Sequence, residues 1–126
     1  MNILLDTHLL LWWMADHPML PRRAREAIAD EDNDVAISVA NLWEIAVKAA
    51  RLRLRADVVE VEEASRASGF AVLSIEARHV RTLRALPRLH GDPFDRMLVA
   101  QARTEPRYLL TADRQLRGYG ESVIVV

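Results

Sequence analysis

Short apolar runs alternate along this chain with longer amphipathic stretches, and a chain so patterned has few architectures open to it. Asn2–Leu5 reads as a first strand and ends at Asp6. Thr7–Met14 follows as a helix that is apolar almost all round, broken by Pro18 and Pro21. Arg22–Ala29 reads as a second helix, with Ala24, Ala27 and Ile28 as its apolar side. After an acidic turn, Val35–Ile37 is a strand ending at Ser38, and Val39–Ala50 is a helix built on Leu42, Trp43, Ile45, Ala46 and Ala49. Ala56–Ser68 is helical and closes at Gly69, a residue suited to the left-handed position after a helix. Phe70–Ile75 holds a short strand, and Glu76–Leu86 is a helix. Pro87 and Gly91 mark a loop, and Asp92-Pro93 opens a helix running to about Arg103, with Asp as N-cap and Pro in the first turn. Tyr108–Leu110 is a strand ending at Thr111, and Ser122–Val126 is the last. Strands joined by helices of this length imply βαβ units. The expected fold is α/β: one domain over residues 1–126, with a mainly parallel central sheet in a three-layer α/β/α arrangement.

Size and composition agree with one packed domain. A chain of 126 residues buries about two-thirds of its unfolded surface. Its 51% hydrophobic and 28% charged content is too apolar for a disordered tail. The absence of cysteine excludes disulfides, thiolate metal sites and cysteine nucleophiles, and suits a reducing compartment. The longest apolar run, Leu9–Ala15, is far shorter than the ~20 residues of a membrane span. No Lys/Arg-led signal peptide opens the sequence. A cytoplasmic location without membrane association is expected.

Ligands of open α/β sheets bind beyond the carboxyl ends of the strands, and this chain places acids there. Asp6 follows the first strand and Asp113 lies just past Thr111. Glu44 sits in the second turn of the helix after Ser38, and Asp92 and Asp95 open the helix after Gly91. Unpartnered carboxylates brought together repel one another, and burial raises their pKa. A hard divalent cation relieves that repulsion, polarises a phosphoryl oxygen and lowers the pKa of a bound water. Each acid also has a structural reading. Asp6 could form a turn, Glu44 could lie on a helix surface, Asp92 is well explained as an N-cap, Asp95 suits the helix macrodipole, and Asp113 could cap a short helix at Arg114. Convergence, rather than any single acid, favours chemistry.

Other enzyme classes fit less well. A phospho-receiver domain needs an acidic pair after the first strand and a late lysine, but Asp6 has no acidic neighbour and Lys48 is the one lysine. A phosphatase with a DxD nucleophile is missing its second Asp, because position 8 is His. Neither GxSxG nor GxxxxGK[ST] occurs. A nucleic-acid-binding module without catalysis is disfavoured, since carboxylates without a cation would repel RNA.

Four segments in order, LLDTH (Leu4–His8), SVANLWEIAVK (Ser38–Lys48), HGDPFDRMLVAQA (His90–Ala102) and LLTAD (Leu109–Asp113), resemble PIN-domain ribonucleases, and specifically the VapC toxins of type II toxin–antitoxin pairs. The resemblance covers essentially the whole chain. It implies a Mg²⁺- or Mn²⁺-dependent endoribonuclease that hydrolyses phosphodiester bonds of RNA, in this family transfer or ribosomal RNA. By resemblance, Asp6, Glu44, Asp95 and Asp113 are the catalytic acids. Asp6 and Asp95 are the primary metal ligands, with Glu44 and Asp113 acting through water or on a second metal. Thr7, Thr111 and Asp92 would support them. The implied partners are RNA, a VapB-type antitoxin and a second toxin protomer, with larger toxin–antitoxin assemblies open.

Two basic clusters, Lys48/Arg51/Arg53/Arg55 and Arg78/Arg81/Arg84/Arg88, carry no acid within them. They read either as solvated faces or as phosphate contacts; Arg51, Arg53, Arg55, Arg78, Arg81 and Arg96 are the candidate RNA contacts. The formal net charge of −1 is thus a sum of opposing blocks, and it does not exclude RNA. The helix Leu9–Met14 is apolar over more than one face, so part of it is expected at an interface. His8 and His90 flank the acids and read mainly as structural.

Overall fold

A computed structural model describes residues 1–52 and 56–126, and Arg53 and Arg55 therefore lie outside the described residues. The elements follow the sequence pattern closely. They are β1 (Asn2–Leu5), α1 (Thr7–Met14), α2 (Arg22–Ala29), β2 (Asp34–Ser38), α3 (Val39–Leu52), α4 (Val58–Ala67), β3 (Ala71–Leu73), α5 (Ala77–Ala85), α6 (Pro93–Thr104), β4 (Tyr108–Thr111) and β5 (Val123–Val125). A 3₁₀ segment, Arg114–Tyr119, joins β4 to β5. Gly69 takes a positive φ of 83° after α4, the left-handed conformation that a side chain would strain.

The five strands form one sheet in the order β3-β2-β1-β4-β5, and every pairing is parallel. Its central strands read as unbroken apolar runs because both faces are covered. Ile3 and Leu5 of β1, with Val35 and Ile37 of β2, face a core completed by Leu9, Leu10, Ala24, Ile28, Ile45 and Val61 from α1–α4. Leu4 and Ala36 face the opposite way, into a second core of Leu98, Val99 and Ala102 from α6, with Leu116 and Tyr119. The result is a three-layer α/β/α domain.

The strand order decides where a site can form. From β1 the chain first builds outward through β2 and β3, then crosses to the other side for β4 and β5. Connections diverge between β1 and β4, which leaves a crevice at their carboxyl ends. Asp6 follows β1, and Asp113 follows β4.

Candidate active site

Asp6 is placed by two elements at once. It is the N-cap of α1, where its Oδ1 accepts the Leu9 N–H at 2.8 Å. Its Oδ2 accepts the hydroxyl of Thr111, at the end of β4. That same hydroxyl oxygen accepts the Asp113 N–H at 3.0 Å, so Thr111 ties the two acid-bearing turns together. Asp6 is only 4% exposed. Burial raises its pKa, against the pull of its bonds from Thr111 and Leu9.

Buried Asn41 organises the adjoining turn. Its Oδ1 accepts the Ser38 N–H at 2.7 Å, and its Nδ2 donates to the Leu5 carbonyl and to Thr7 Oγ1. Both amide hydrogens and one oxygen lone pair are used, which locks α3 to the end of β1. Thr7 in turn donates its hydroxyl to Glu44 Oε1 at 2.5 Å. The second Glu44 oxygen accepts a hydrogen bond from Lys48, one turn further along α3. Lys48 also reaches Asp92 Oδ2 at 3.0 Å. Burial works against the Lys48 ammonium, but its bonds to Glu44 and Asp92 raise its pKa overall and keep it charged.

Asp92 caps α6, with Oδ1 accepting the N–H groups of Phe94 and Asp95. Burial alone would raise its pKa, yet the Lys48 ammonium and those amides hold it below the ordinary value. Asp95 is treated in the opposite way. Burial, then the charges of Asp92, Glu44 and Asp6, push its carboxyl up to about 7. A carboxyl crowded this hard belongs to a place short of positive charge.

His90, Asp95 and Asp113 offer ligand atoms that all lie within 4.8 Å of one another. The hydrogen bonds argue that His90 serves Asp113 rather than an ion. The Asp92 N–H donates to His90 Nδ1 at 3.0 Å, so the ring proton sits on Nε2, 3.1 Å from Asp113 Oδ2. An ion on Nε2 would require the other tautomer and would turn two N–H groups against each other. That leaves Asp95 and Asp113 of the trio, and Asp6 lines the same cleft; together their oxygens are a hard donor set that fits a divalent cation of the Mg²⁺ kind. These three acids line one open cleft of about 330 Å³, with His8, Trp12 and Ala112.

A family model for the PIN domain matches residues 3–121. The chain belongs to the PIN-domain family. A relative, Ribonuclease VapC22 of Mycobacterium tuberculosis, is 30% identical over 129 residues, covering 94% of this chain and 92% of its own. This PIN domain is therefore of the VapC type. Among solved structures, VapBC2 from Rickettsia felis, bound to a DNA fragment from its promoter, superposes with a TM-score of 0.73 at 17% identity. That match covers 100% of this chain and 98% of the other. A toxin–antitoxin complex from Klebsiella pneumoniae (TM-score 0.66, 20% identity, 98% and 96% covered) has the same fold. So does FitAcB from Neisseria gonorrhoeae (TM-score 0.66, 18% identity, 97% and 96% covered).

Within this PIN domain the four acids singled out by sequence divide. Asp6, Asp95 and Asp113 share the cleft, while Glu44 stands beside it, held by Thr7 and Lys48. Asp113 caps the 3₁₀ segment, its Oδ1 accepting the Gln115 N–H, while its Oδ2 meets His90. Asp92 acts as helix cap and as partner of Lys48, so Lys48 faces carboxylates rather than extending a basic surface. Among the candidate RNA contacts, Arg78 is engaged by Glu76 at 2.7 Å and Glu105 at 2.5 Å. Arg96 donates to the carbonyls of Leu83 and Leu86. Arg51 and Arg81 are exposed and have no ion pair among the described residues. Trp12, Trp13 and Met14 are partly buried against the first core. Sequence reading passed over Asn41 and the bond from His90 to Asp113, and it placed Lys48 in a basic cluster rather than with Glu44 and Asp92. The available signals were an Asn three residues after a strand end, a Lys four residues after Glu44, and a His two residues before an N-cap.

Proposed function

We propose that this VapC-type PIN domain is a Mg²⁺-dependent endoribonuclease, the toxin of a type II pair restrained by a VapB-type antitoxin. The reading rests on one observation above all: three carboxylates, from just past β1, from α6 and from just past β4, meet in a single cleft at the carboxyl edge of a parallel sheet. The name and activity of its 30% identical relative, and the toxin–antitoxin complexes that share its fold, support the same reading.

Asp6, Asp95 and Asp113 would hold the cation, and Mn²⁺ has the same preference for oxygen. Bound there, it would polarise a phosphoryl oxygen and lower the pKa of a water for hydrolysis. The chain's own residues do the positioning. Thr111 and the Leu9 amide fix the Asp6 carboxylate, His90 fixes Asp113, and Asp92 fixes the first turn of α6 beneath Asp95. Lys48 neutralises Glu44, so that acid adds less repulsion to an approaching phosphate. Transfer or ribosomal RNA is the substrate class the family favours, and a cytoplasmic site of action follows from it. Self-association into a homodimer belongs to the same reading. Cleavage of a total RNA pool with Mg²⁺, with EDTA and by Asp6→Asn tests it. Cleavage is expected with Mg²⁺ alone; undiminished cleavage in EDTA or by the variant would overturn it. Sequencing of fragment 5′ ends identifies the target.

A further inference from the structure

The loop end of α5 carries arginines that the fold leaves unspent. Arg81 and Arg84 lie one turn apart on α5 and Arg88 follows it; all three are exposed, with no ion pair among the described residues. Five other arginines, Arg22, Arg25, Arg66, Arg78 and Arg107, pair with acids. Like charges three residues apart on a helix cost a few tenths of a kcal/mol, so helix stability does not explain the arrangement.

The three side chains and Arg96 line a hollow of about 490 Å³ with Val80, Leu83 and Leu86 between them, and no carboxylate lines it. The Arg96 Nε is buried and has no hydrogen-bond partner in the fold. Arg88 and Arg96 also line a second hollow, of about 430 Å³, which ends at His90 and Gly91. His90 bonds Asp113, which lines the acidic cleft. Arg88 and Arg96 line both of the first two hollows, and His90 of the second bonds Asp113 of the acidic cleft, so the three make a series of neighbouring hollows.

We propose that this series is the bed for the RNA strand flanking the scissile phosphate. Phosphates meet Arg81, Arg84 and Arg88, while sugars and bases lie on the apolar floor. The proposal rests on the ribonuclease reading and adds to it the direction from which the strand enters. Arginine suits the role, since its planar fork binds phosphate oxygens in pairs and stacks on bases. A concave floor between charges fits a single strand rather than a duplex, whose deep groove side chains do not enter. An acidic peptide would also satisfy arginines, but a bed that neighbours the acidic cleft favours a ligand whose next phosphate lies in that cleft.

The test compares wild type with Arg81→Ala/Arg84→Ala/Arg88→Ala. RNA binding is measured against salt, in an Asp95→Asn background that leaves the RNA uncut, and cleavage is measured in the otherwise native chain. For a single-stranded RNA long enough to cross all three hollows, the triple variant should lower the logarithmic salt slope by about 2 and weaken binding roughly tenfold or more. Cleavage of the long RNA should fall similarly while cleavage of a dinucleotide stays within about twofold. Three lysines at these positions should restore most of the slope, which separates lost charge from lost folding. An unchanged slope, or equal loss on long and short substrates, would overturn the proposal. An unchanged slope with lost antitoxin affinity would give the bed to the protein partner and overturn it too. If the wild type shows no affinity for RNA, the ribonuclease reading falls with it; wild-type affinity with an unaltered slope removes only the bed.

Discussion

At the scale of single residues, the site is governed by how charge is shared. Asp95 is raised to about 7 from an ordinary value of 3.8, so its folded form holds a proton more tightly than its unfolded form. Its contribution to stability is therefore full below the unfolded value and is lost as pH rises through about 7. Buried Asp6 is shifted in the same direction. In EDTA the protein should melt lower at pH 8 than at pH 5. Asp95→Asn should flatten that slope and raise the pH 8 melting temperature by about 3–8 °C while abolishing cleavage, as thermal melts and an RNA assay would show. Lys48 poses the complementary case. Glu44 is 4% exposed and keeps Lys48 as its counter-charge. Lys48→Ala leaves a buried carboxylate unpaired, and urea denaturation should read a loss of about 2–3 kcal/mol. Much of it should return in Lys48→Ala/Glu44→Gln, because the amide needs no cation.

At the scale of elements, the sequence pattern was most legible where packing is strongest. Apolar runs such as Ile3–Leu5 and Val35–Ile37 must be strands covered on both faces, and the Asp92-Pro93 pair marks a helix start by its own stereochemistry. Contacts made between elements were less legible. Lys48 and Arg78 each have one near acid, but their second partners, Asp92 and Glu105, lie 44 and 27 positions away, and Arg96 is engaged by backbone carbonyls, so in sequence all three look like surface cations. Helix α3 also presents a face that the fold does not cover. Val39, Trp43 and Val47 recur every fourth residue and are 38%, 54% and 45% exposed, with Phe94 packed edge-on against Trp43. A stripe of this kind is where self-association should occur. Light scattering is expected to find a dimer for the wild type and a monomer for Trp43→Glu/Val47→Glu. A monomeric wild type would assign the stripe elsewhere.

At the scale of the whole molecule, the acid positions were readable because a parallel sheet delivers strand ends to one edge, but the division of labour among them was not. Strand and helix ends placed Asp6, Glu44, Asp92, Asp95 and Asp113 near one another; only the packed chain separates Glu44 and Asp92, which share Lys48, from the three that share the cleft. Three carboxylates gathered in one cleft repel one another wherever they are ionised, at a cost to the fold. Adding Mg²⁺ should raise the melting temperature at pH 8, with a concentration dependence set by its affinity. The gain should shrink at pH 5 and vanish in Asp95→Asn, and EDTA should reverse it. The bond between Thr111 and Asp6 carries one more consequence. It spans 105 positions of sequence, and β4 docks directly beside β1. A ribosome releases Asp6 early and Thr111 late, so a growing chain holds a lone aspartate long before it holds a cleft. The cleft proposed as catalytic is thereby completed only late in synthesis, and a product broken off before β4 lacks it.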